Sequence, residues 1–490
     1  MELAEKKSSS MKRSLLPVRV ELLLLMVGIV AVVAFGIMMM MQVNVMLVFA
    51  LAAGLVGIAT VWLGGTRVCL PLYLALAFGE ALPLPGAPGS VSVNQCLALA
   101  VLAAFVVDLL RYGGAVRFRL AQNILIVFGI YVVVAAVILK PEKTEYPIQQ
   151  AYYMFLAVVI AALCWRQRWM NALLGGIVVL GMLLLVVPGY AEFVTGKDFH
   201  LNGRVTESFR ISGFAKDSII FAGVCVWLLF FAMYLAFSAR MVHSRVFFAM
   251  CVPLIAVVPL LTFNRQTPIV IALCTAVMLV FMRSRHKWKM AAVMVVAGAA
   301  AAPFFIGRVL ERFSKAKSVM MDYSLIERHD KLNMAWEMFH SHRIFGVGSG
   351  AYKHLWPEYI PKGNMYLLHD YPRNRELYID MGYMQILTEY GIVGALLVLA
   401  FFIASFVLFV RAYRMSRRLE DTSYSNLLAM CAALFAQLLI SLFVRDAFLT
   451  PQSFVVFGIF FAACTGVERA VAVQMTTEET RVSANAECPA

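Results

Sequence analysis

The feature that most limits how this chain can fold is a succession of apolar blocks, each about as long as a bilayer is thick. Of its 490 residues, 62% are hydrophobic and 14% are charged, whereas a soluble domain is about half apolar and a quarter charged. A helix needs about 20 apolar residues to cross the hydrocarbon core, and a helix satisfies its own backbone there. The sequence therefore predicts an all-α polytopic membrane protein.

The apolar blocks predict about fourteen transmembrane helices, with twelve as the lower limit. The run over residues 22–64 is too long for one helix, and the polar Gln42 and Asn44 divide it into two. The predicted spans are 22–41, 45–63, 68–82, 94–110, 121–139, 149–164, 171–188, 217–238, 246–262, 266–282, 290–306, 390–410, 425–443 and 452–468.

The distribution of basic residues between the spans predicts which gaps face the cytoplasm. Every second gap is rich in Lys and Arg, whereas the short gaps on the other side hold only Lys140, Lys143, Arg265 and Arg445. This is the positive-inside asymmetry, and an even number of helices places both termini in the cytoplasm. The net charge of +14 then reflects topology and attraction to anionic lipid, so we expect the bilayer, and no nucleic acid, as a partner.

Two outer segments are longer than turns. The predicted organisation is a cytoplasmic segment at 1–20, helices 1–11 within 21–306 with an outer loop at 189–216, a large outer loop at 307–389, helices 12–14 within 390–468, and a disordered cytoplasmic tail at 469–490.

The large outer loop is expected to be folded and partly helical, because it is rich in aromatic residues. A capping box at Ser324-Leu-Ile-Glu327 predicts a helix start. The glycines at 346, 348 and 350 end that helix and let the backbone approach a ligand or another helix. A second helix is expected to begin near Arg375 and to continue into the next span.

Arg210 and Arg265 are the strongest candidates for a binding site. Both lie close to predicted helix ends, with little loop to carry them into water, and an ionisable group at that depth marks a functional site by default. The planar guanidinium fits phosphate in a bidentate way. A lipid-linked diphosphate at the outer face is the predicted ligand, and snorkelling to the headgroups is the alternative.

Several short motifs occur in a fixed order along the second half of the chain. They are Arg328, Trp336, Ile344-Phe-Gly346-Val-Gly348-Ser-Gly350, and Gly382-Tyr-Met-Gln385-Ile-Leu-Thr-Glu389-Tyr-Gly391-Ile-Val-Gly394. Residues 328–394 with this pattern resemble the shared core of the O-antigen ligase and O-antigen polymerase (Wzy-type) family. Upstream, Arg210-Ile-Ser-Gly213-Phe and Phe263-Asn-Arg265-Gln resemble two further segments of that family.

The resemblance implies a metal-independent glycosyltransferase of the bacterial inner membrane that uses an undecaprenyl-diphosphate-linked sugar donor at the periplasmic face. Ligases of the family usually carry His-Asn nine residues before the Glu, whereas Asp380-Met381 stands here, which looks more like the polymerase branch. The implied reaction is polymerisation of lipid-linked repeat units into O-antigen or exopolysaccharide, with a chain-length regulator and a flippase as pathway partners. Transfer to lipid A core by a ligase is the alternative.

The residues assigned by this resemblance divide into two groups. Arg210, Arg265 and Arg328 are predicted to bind the diphosphate, and Asp380 or His369 is predicted to act as the general base for the acceptor hydroxyl. Solvated surface charge is the alternative for Arg328, a helix N-terminal carboxylate for Asp380, and a surface histidine for His369. Glu389 is expected either to take part or to pair with a loop arginine.

No metal site or cofactor is predicted, because the sequence has no His-x-x-x-His or Asp-x-Asp spacing. A transporter or flippase of lipid-linked glycans is the rival class. Such proteins carry charges at midplane positions and an internal repeat, and the long outer loop fits an enzyme better.

Overall fold

The structure is a computed structural model that describes part of the chain. The described residues are 98, 100–106, 118–139, 145–164, 167–195, 211, 218–239, 241–262, 264, 266–285, 287–289, 291–296, 298–299, 302–303, 323–360, 379, 381–444 and 450–486. The chain forms two compact units, Met1–Tyr73 with Ala81–Ala115 and Leu74–Glu80 with Val116–Ala490. The described residues of the first unit, 98 and 100–106, are helical, and everything below concerns the second unit.

The described residues of the second unit form helices and no strand, which confirms the all-α class. The helices are α1 Leu120–Leu139, α2 Glu145–Leu163, α3 Gln167–Gly181, α4 Val187–Thr195, α5 Ser218–Ser238, α6 Val242–Leu261, α7 Thr267–Phe281, α8 Tyr323–Ser341, α9 Tyr352–Leu355, α10 Gly382–Ser416, α11 Thr422–Val444 and α12 Pro451–Ala486. A π-helical turn, Met182–Val186, joins α3 to α4, and a 3-10 turn, Trp356–Tyr359, follows α9.

Seven helical segments in the described residues are long and apolar enough to cross a membrane. They are Leu120–Leu139, Met170–Thr195, Ile220–Ser238, Val242–Leu261, Gly382–Ser416, Thr422–Phe443 and Gln452–Thr477. Two shorter apolar helices, Pro147–Ala162 and Thr267–Phe281, lie where spans are also predicted. The chain is therefore a multi-pass membrane protein. The count of about fourteen stays a prediction, since the spans predicted at 22–82 lie outside the described residues.

The folded segment 323–360 packs at one end of the helices, which we call the loop end. Ser349 Oγ donates to Gln150 Oε1 near the start of α2 at 2.6 Å. The rings of Tyr383 and Phe443 are 5.8 Å apart, so α10 begins where α11 ends. At the opposite end, the Arg283 guanidinium donates to the carbonyl of Arg417 at 3.3 Å.

Basic side chains concentrate at the end opposite the loop end. They include Arg119, Arg245, Arg283, Arg285, Lys287, Lys289, Arg411, Arg414, Arg417 and Arg418. This grouping agrees with the arrangement that the charge pattern predicts. The side of a membrane that each end faces stays a prediction.

The helix formed by α3 and α4 continues past Pro188-Gly189, where the sequence predicts its end. Pro188 lacks an N–H and its ring crowds the preceding turn. The π-helical turn before it widens the helix, and the N–H of Val187 donates to the carbonyl of Met182, five residues back. The proline is thereby accommodated, and α4 runs on to Thr195.

Two further boundaries differ from the sequence prediction. Met381 has extended backbone angles, φ −130° and ψ 110°, so α10 begins at Gly382 and not near Arg375. At the other end, α12 continues to Ala486, although disorder is predicted from residue 469. Residues 469–486 contain neither Gly nor Pro, so nothing in them interrupts a helix.

Candidate functional site

The main feature of the loop end is an exchange of backbone hydrogen bonds between α10 and the turn after α8. The N–H groups of Val347 and Gly348 donate to the carbonyls of Thr388 and Glu389 at 2.9 and 3.0 Å. In return, Ile392 N–H donates to the carbonyl of Arg343 at 2.8 Å. Val393 N–H donates to Ile344 at 3.3 Å. An unbroken helix would pair 392 with 388 and 393 with 389, so the turn replaces two helical bonds with four. We call residues 343–348 with 388–393 the junction.

Two glycines make the junction sterically possible. Gly391 has φ 64° and ψ −165° inside α10, and Gly346 has φ 73°; both are positive-φ conformations that side chains disfavour. A Cβ on Gly391 would lie 2.6 Å from the nitrogen of Gly346, and a Cβ on Gly346 would lie 2.6 Å from the nitrogen of Tyr390. The prediction that the glycine turn lets backbone approach a helix is therefore confirmed.

A buried polar cluster ties the junction to α1 and α2. The Tyr390 hydroxyl contacts Gln150 Oε1 and donates to Ser349 Oγ at 3.2 Å. Gln150 Oε1 also accepts from Ser349 at 2.6 Å. The Tyr131 hydroxyl donates to the carbonyl of Tyr390 at 2.6 Å. Since Tyr390 is 1% exposed, each of these hydroxyl bonds also satisfies a group that water does not reach.

The segment 323–360 has its own apolar core, which rests on the start of α10. Its buried members are Met334, Ala335, Met338, Val347, Ala351, Tyr352, Trp356, Ile379 and Met384. Thr388 Oγ1 donates to the carbonyl of Ala335 at 3.1 Å, and the Tyr352 hydroxyl donates to the carbonyl of Lys331 at 3.2 Å. Burial and the neighbouring Glu358 carboxylate raise the pKa of the Tyr359 phenol. The described segment 323–360 is thus a packed unit.

A buried carboxylate, Glu389, lies within the junction. It is 2% exposed, and Gln385 Nε2 donates to its Oε2 at 3.3 Å. Its backbone carbonyl accepts the bond from Gly348. The carboxylate therefore lies directly beside the point where segment 323–360 meets α10.

A cavity of about 80 Å³, lined by both apolar and polar side chains, opens between α5, α7, α11 and α12 at the loop end; we call it the polar cavity. Its polar lining consists of Asn264, Gln266, Thr267, Gln437, Ser441, Thr450 and Gln452. Side-chain amides and hydroxyls both donate and accept hydrogen bonds, which suits the hydroxyls of a sugar.

Gln437 leaves one acceptor of this cavity unused. The side chain is 3% exposed and its Nε2 donates to the carbonyl of Gly223 at 3.2 Å. Its Oε1 is buried and has no hydrogen-bond partner among the residues that the structure describes. A buried acceptor without a partner costs about 1–3 kcal/mol, so this atom is suited to a ligand donor.

Of the five residues that the sequence analysis selects, the structure describes one. Arg328 lies half-buried on α8, and it does not line the polar cavity. Arg210, Arg265, His369 and Asp380 lie outside the described residues. The neighbours of Arg265 in the chain, Asn264 and Gln266, both line the cavity.

The residues that sequence reasoning missed are polar residues inside apolar helices. Gln150 and Gln437 are neutral, so charge-based reasoning passed over them, although an amide in a membrane span is itself a signal. Within the described residues, no group of three or more His, Cys, Asp or Glu side chains is arranged to hold a metal.

Comparison with known proteins identifies one family. Residues 251–399 match the family model described as O-antigen ligase, which confirms the resemblance found in the sequence. The match runs from α6 to the first half of α10, and it includes the junction and the 264–270 side of the cavity. No curated protein matches the chain significantly.

Proposed function

We propose that this chain, which carries an O-antigen ligase family domain over residues 251–399, is a membrane glycosyltransferase that polymerises undecaprenyl-diphosphate-linked oligosaccharide repeat units. The reaction takes place at the periplasmic face of the bacterial inner membrane, which is the loop end. The observation that carries the proposal is the position of the matched segment, which brings a packed outer segment and one wall of a polar cavity to the same end of the membrane helices.

The proposed chemistry transfers a glycan from a lipid diphosphate to a sugar hydroxyl. The acceptor oxygen attacks the anomeric carbon, a glycosidic bond forms, and the bond from that carbon to the diphosphate oxygen breaks. Asp380 or His369 takes the acceptor proton, and a positioned base contributes roughly a hundred- to ten-thousand-fold in rate. The released undecaprenyl diphosphate carries the negative charge.

Arg210, Arg265 and Arg328 are proposed to stabilise that leaving group. Cationic donors fixed where charge develops lower the barrier without reorganising. The support for Arg265 is the pair of flanking residues, Asn264 and Gln266, which line the cavity. The amides there are proposed to bind sugar hydroxyls, with Gln437 Oε1 accepting one of them.

The second candidate is O-antigen ligase, which uses the same donor and transfers the glycan to lipid A core. The description of the matching family model favours it. Asp380-Met381, where ligases of the family usually have His-Asn, favours the polymerase.

Deleting the gene and separating the polysaccharides on a gel distinguishes the two. Retention of single repeat units is expected for a polymerase, and long chains that remain on the undecaprenyl carrier would instead indicate a ligase. No change in either product would contradict both assignments.

Substitutions in the purified full-length chain, assayed with lipid-linked repeat units, test the proposed residues. We expect Arg265→Ala to abolish product, and Arg265→Lys to be poor because an ammonium does not reproduce the bidentate fork. Arg210→Ala and Asp380→Ala should also abolish product. Lys289→Ala removes an exposed charge at the opposite end and should retain activity; full activity in all the site variants would refute the assignment.

A further inference from the structure

A second groove, at the end opposite the loop end, combines arginines with exposed apolar side chains. It lies between the last turns of α10 and the second half of α12 and has a volume of about 490 Å³. Arg411, Arg414 and Arg418 line it together with Phe406, Val407 and Met475. None of these residues belongs to the junction or to the polar cavity.

The three arginines give the groove a net positive charge. Arg411 and Arg414 lie one turn apart on α10, and Arg418 follows in the turn after the helix ends at Ser416. Arg411 Nε is 3.4 Å from Glu468 Oε1, but that carboxylate also pairs with Arg119, so one negative charge is shared by two guanidinium groups. Among the side chains that the structure describes, no carboxylate lies within ion-pair distance of Arg414 or Arg418.

The apolar side chains of the groove lie deeper along the same helix. Phe406 and Val407 are 58% and 60% exposed, and both precede Arg411 by about one turn. From Phe406 to its last residue, Ser416, α10 rises about 15 Å, at 1.5 Å per residue. One leaflet offers about 15 Å of hydrocarbon beneath its headgroups. The groove therefore changes from apolar to cationic over the distance at which a phospholipid changes from acyl chain to phosphate.

We propose that this groove binds an anionic glycerophospholipid of the adjacent leaflet, with its phosphate at Arg414 and Arg418 and an acyl chain along Phe406 and Val407. The same lipid contacts Met475, so it links α10 to α12 at the end away from the reaction. A soluble phosphate would use the arginines but leave the apolar wall uncovered, and a zwitterionic lipid would not neutralise the arginines. Charge and apolar surface together therefore favour the anionic lipid.

Native mass spectrometry of the full-length chain in a zwitterionic detergent tests the proposal by counting bound lipids. The chain is titrated with phosphatidylglycerol and, separately, with phosphatidylethanolamine. A basic residue near an anionic surface contributes about 1 kcal/mol, or about fivefold in affinity. We therefore expect Arg414→Gln/Arg418→Gln to raise the Kd for the first phosphatidylglycerol about 30-fold and to leave phosphatidylethanolamine binding unchanged.

Matched variants separate this site from charge in general. Arg285→Gln removes an exposed arginine at the same end but outside the groove, and its Kd should stay within twofold of wild type. If the double variant does not fold, the single variants should each raise the Kd about fivefold. Undiminished phosphatidylglycerol binding in the glutamine variants would overturn the proposal. So would an equal loss in Arg285→Gln, or displacement of the lipid by millimolar inorganic phosphate.

Discussion

The substitution Gly391→Ala tests whether the junction holds segment 323–360 on the membrane helices. At φ 64° and ψ −165°, a residue with a side chain has a strained backbone that costs about 1–3 kcal/mol. The added Cβ would also lie 2.6 Å from the nitrogen of Gly346, which is closer than side-chain carbons approach backbone. The substitution therefore destabilises the docked junction by at least this strain energy.

The undocked state has a way to recover its hydrogen bonds. If residues 343–348 move away, the alanine introduced at position 391 can adopt helical angles, and Ile392 and Val393 can donate to the carbonyls of Thr388 and Glu389. The strain of about 1–3 kcal/mol then shifts the docking equilibrium about 5- to 160-fold towards the open form. The expected defect is local release of the turn, with the membrane helices still folded.

Hydrogen exchange measured by mass spectrometry on the full-length chain follows this release. Amides of residues 347–348 and 392–393 donate across the junction from its two sides, and we expect the former to lose protection and the latter to keep it. Gly176→Ala is the matched control, because no atom lies within 4 Å of its added Cβ. Unchanged protection of residues 347–348 in Gly391→Ala, together with unchanged product formation, would refute the reasoning.

Two further predictions concern buried polar groups. Tyr390→Phe removes the hydroxyl that contacts Gln150 and Ser349 but keeps the ring. Thermal unfolding should show a free energy of unfolding lower by about 1–3 kcal/mol. The control Tyr383→Phe changes an exposed ring and should leave the free energy of unfolding unchanged. Glu468→Gln removes the carboxylate shared by Arg119 and Arg411. Because both arginines are about half exposed or more, we expect a loss of about 1–2 kcal/mol in stability, less than the roughly 3–5 kcal/mol of a fully buried pair. The measurement is a Tm lowered by a few degrees. An unchanged Tm in both variants would show that neither group supports the fold.

The helices were predictable from the sequence because each depends on its own composition. Residues 121–139 and 217–238 read as apolar runs of bilayer length, and α1 and α5 begin and end within one residue of those limits. The helix α8 was predicted from its capping box and apolar spacing. These signals act over a few turns, so no distant contact is needed to interpret them.

The junction was not predictable in the same way, because its partners are about 45 residues apart. The residues next to Gly391 in the sequence do not predict that the helix breaks there. The break is stable because the N–H groups of Val347 and Gly348 replace the missing helical donors. Pro188 gave the opposite result. This proline locally predicts a helix end, but the π-helical turn before it lets the helix continue past it.

The candidate site was predictable only for its charged members. Basic residues near helix ends stand out against an apolar sequence, and so Arg210, Arg265 and Arg328 were selected. No charge distinguishes the polar residues Gln150, Gln437 and Ser349 from their apolar surroundings. Their importance depends on what packs beside them, as when Tyr390 reaches both Gln150 and Ser349.

The segment that matches the family does not contain a complete site. Residues 251–399 include the turn at 264–266 and the junction, but the polar cavity also needs Gln437 and Gln452 from α11 and α12. The junction likewise depends on Gln150 of α2, through its bonds to Ser349 and Tyr390. Because each buried polar group needs a partner, the buried Ser349 and Tyr390 of the matched segment depend on a helix outside it. Segment 323–360 therefore packs with the surrounding helices as one structural unit, and helices outside the matched segment complete the junction and the polar cavity.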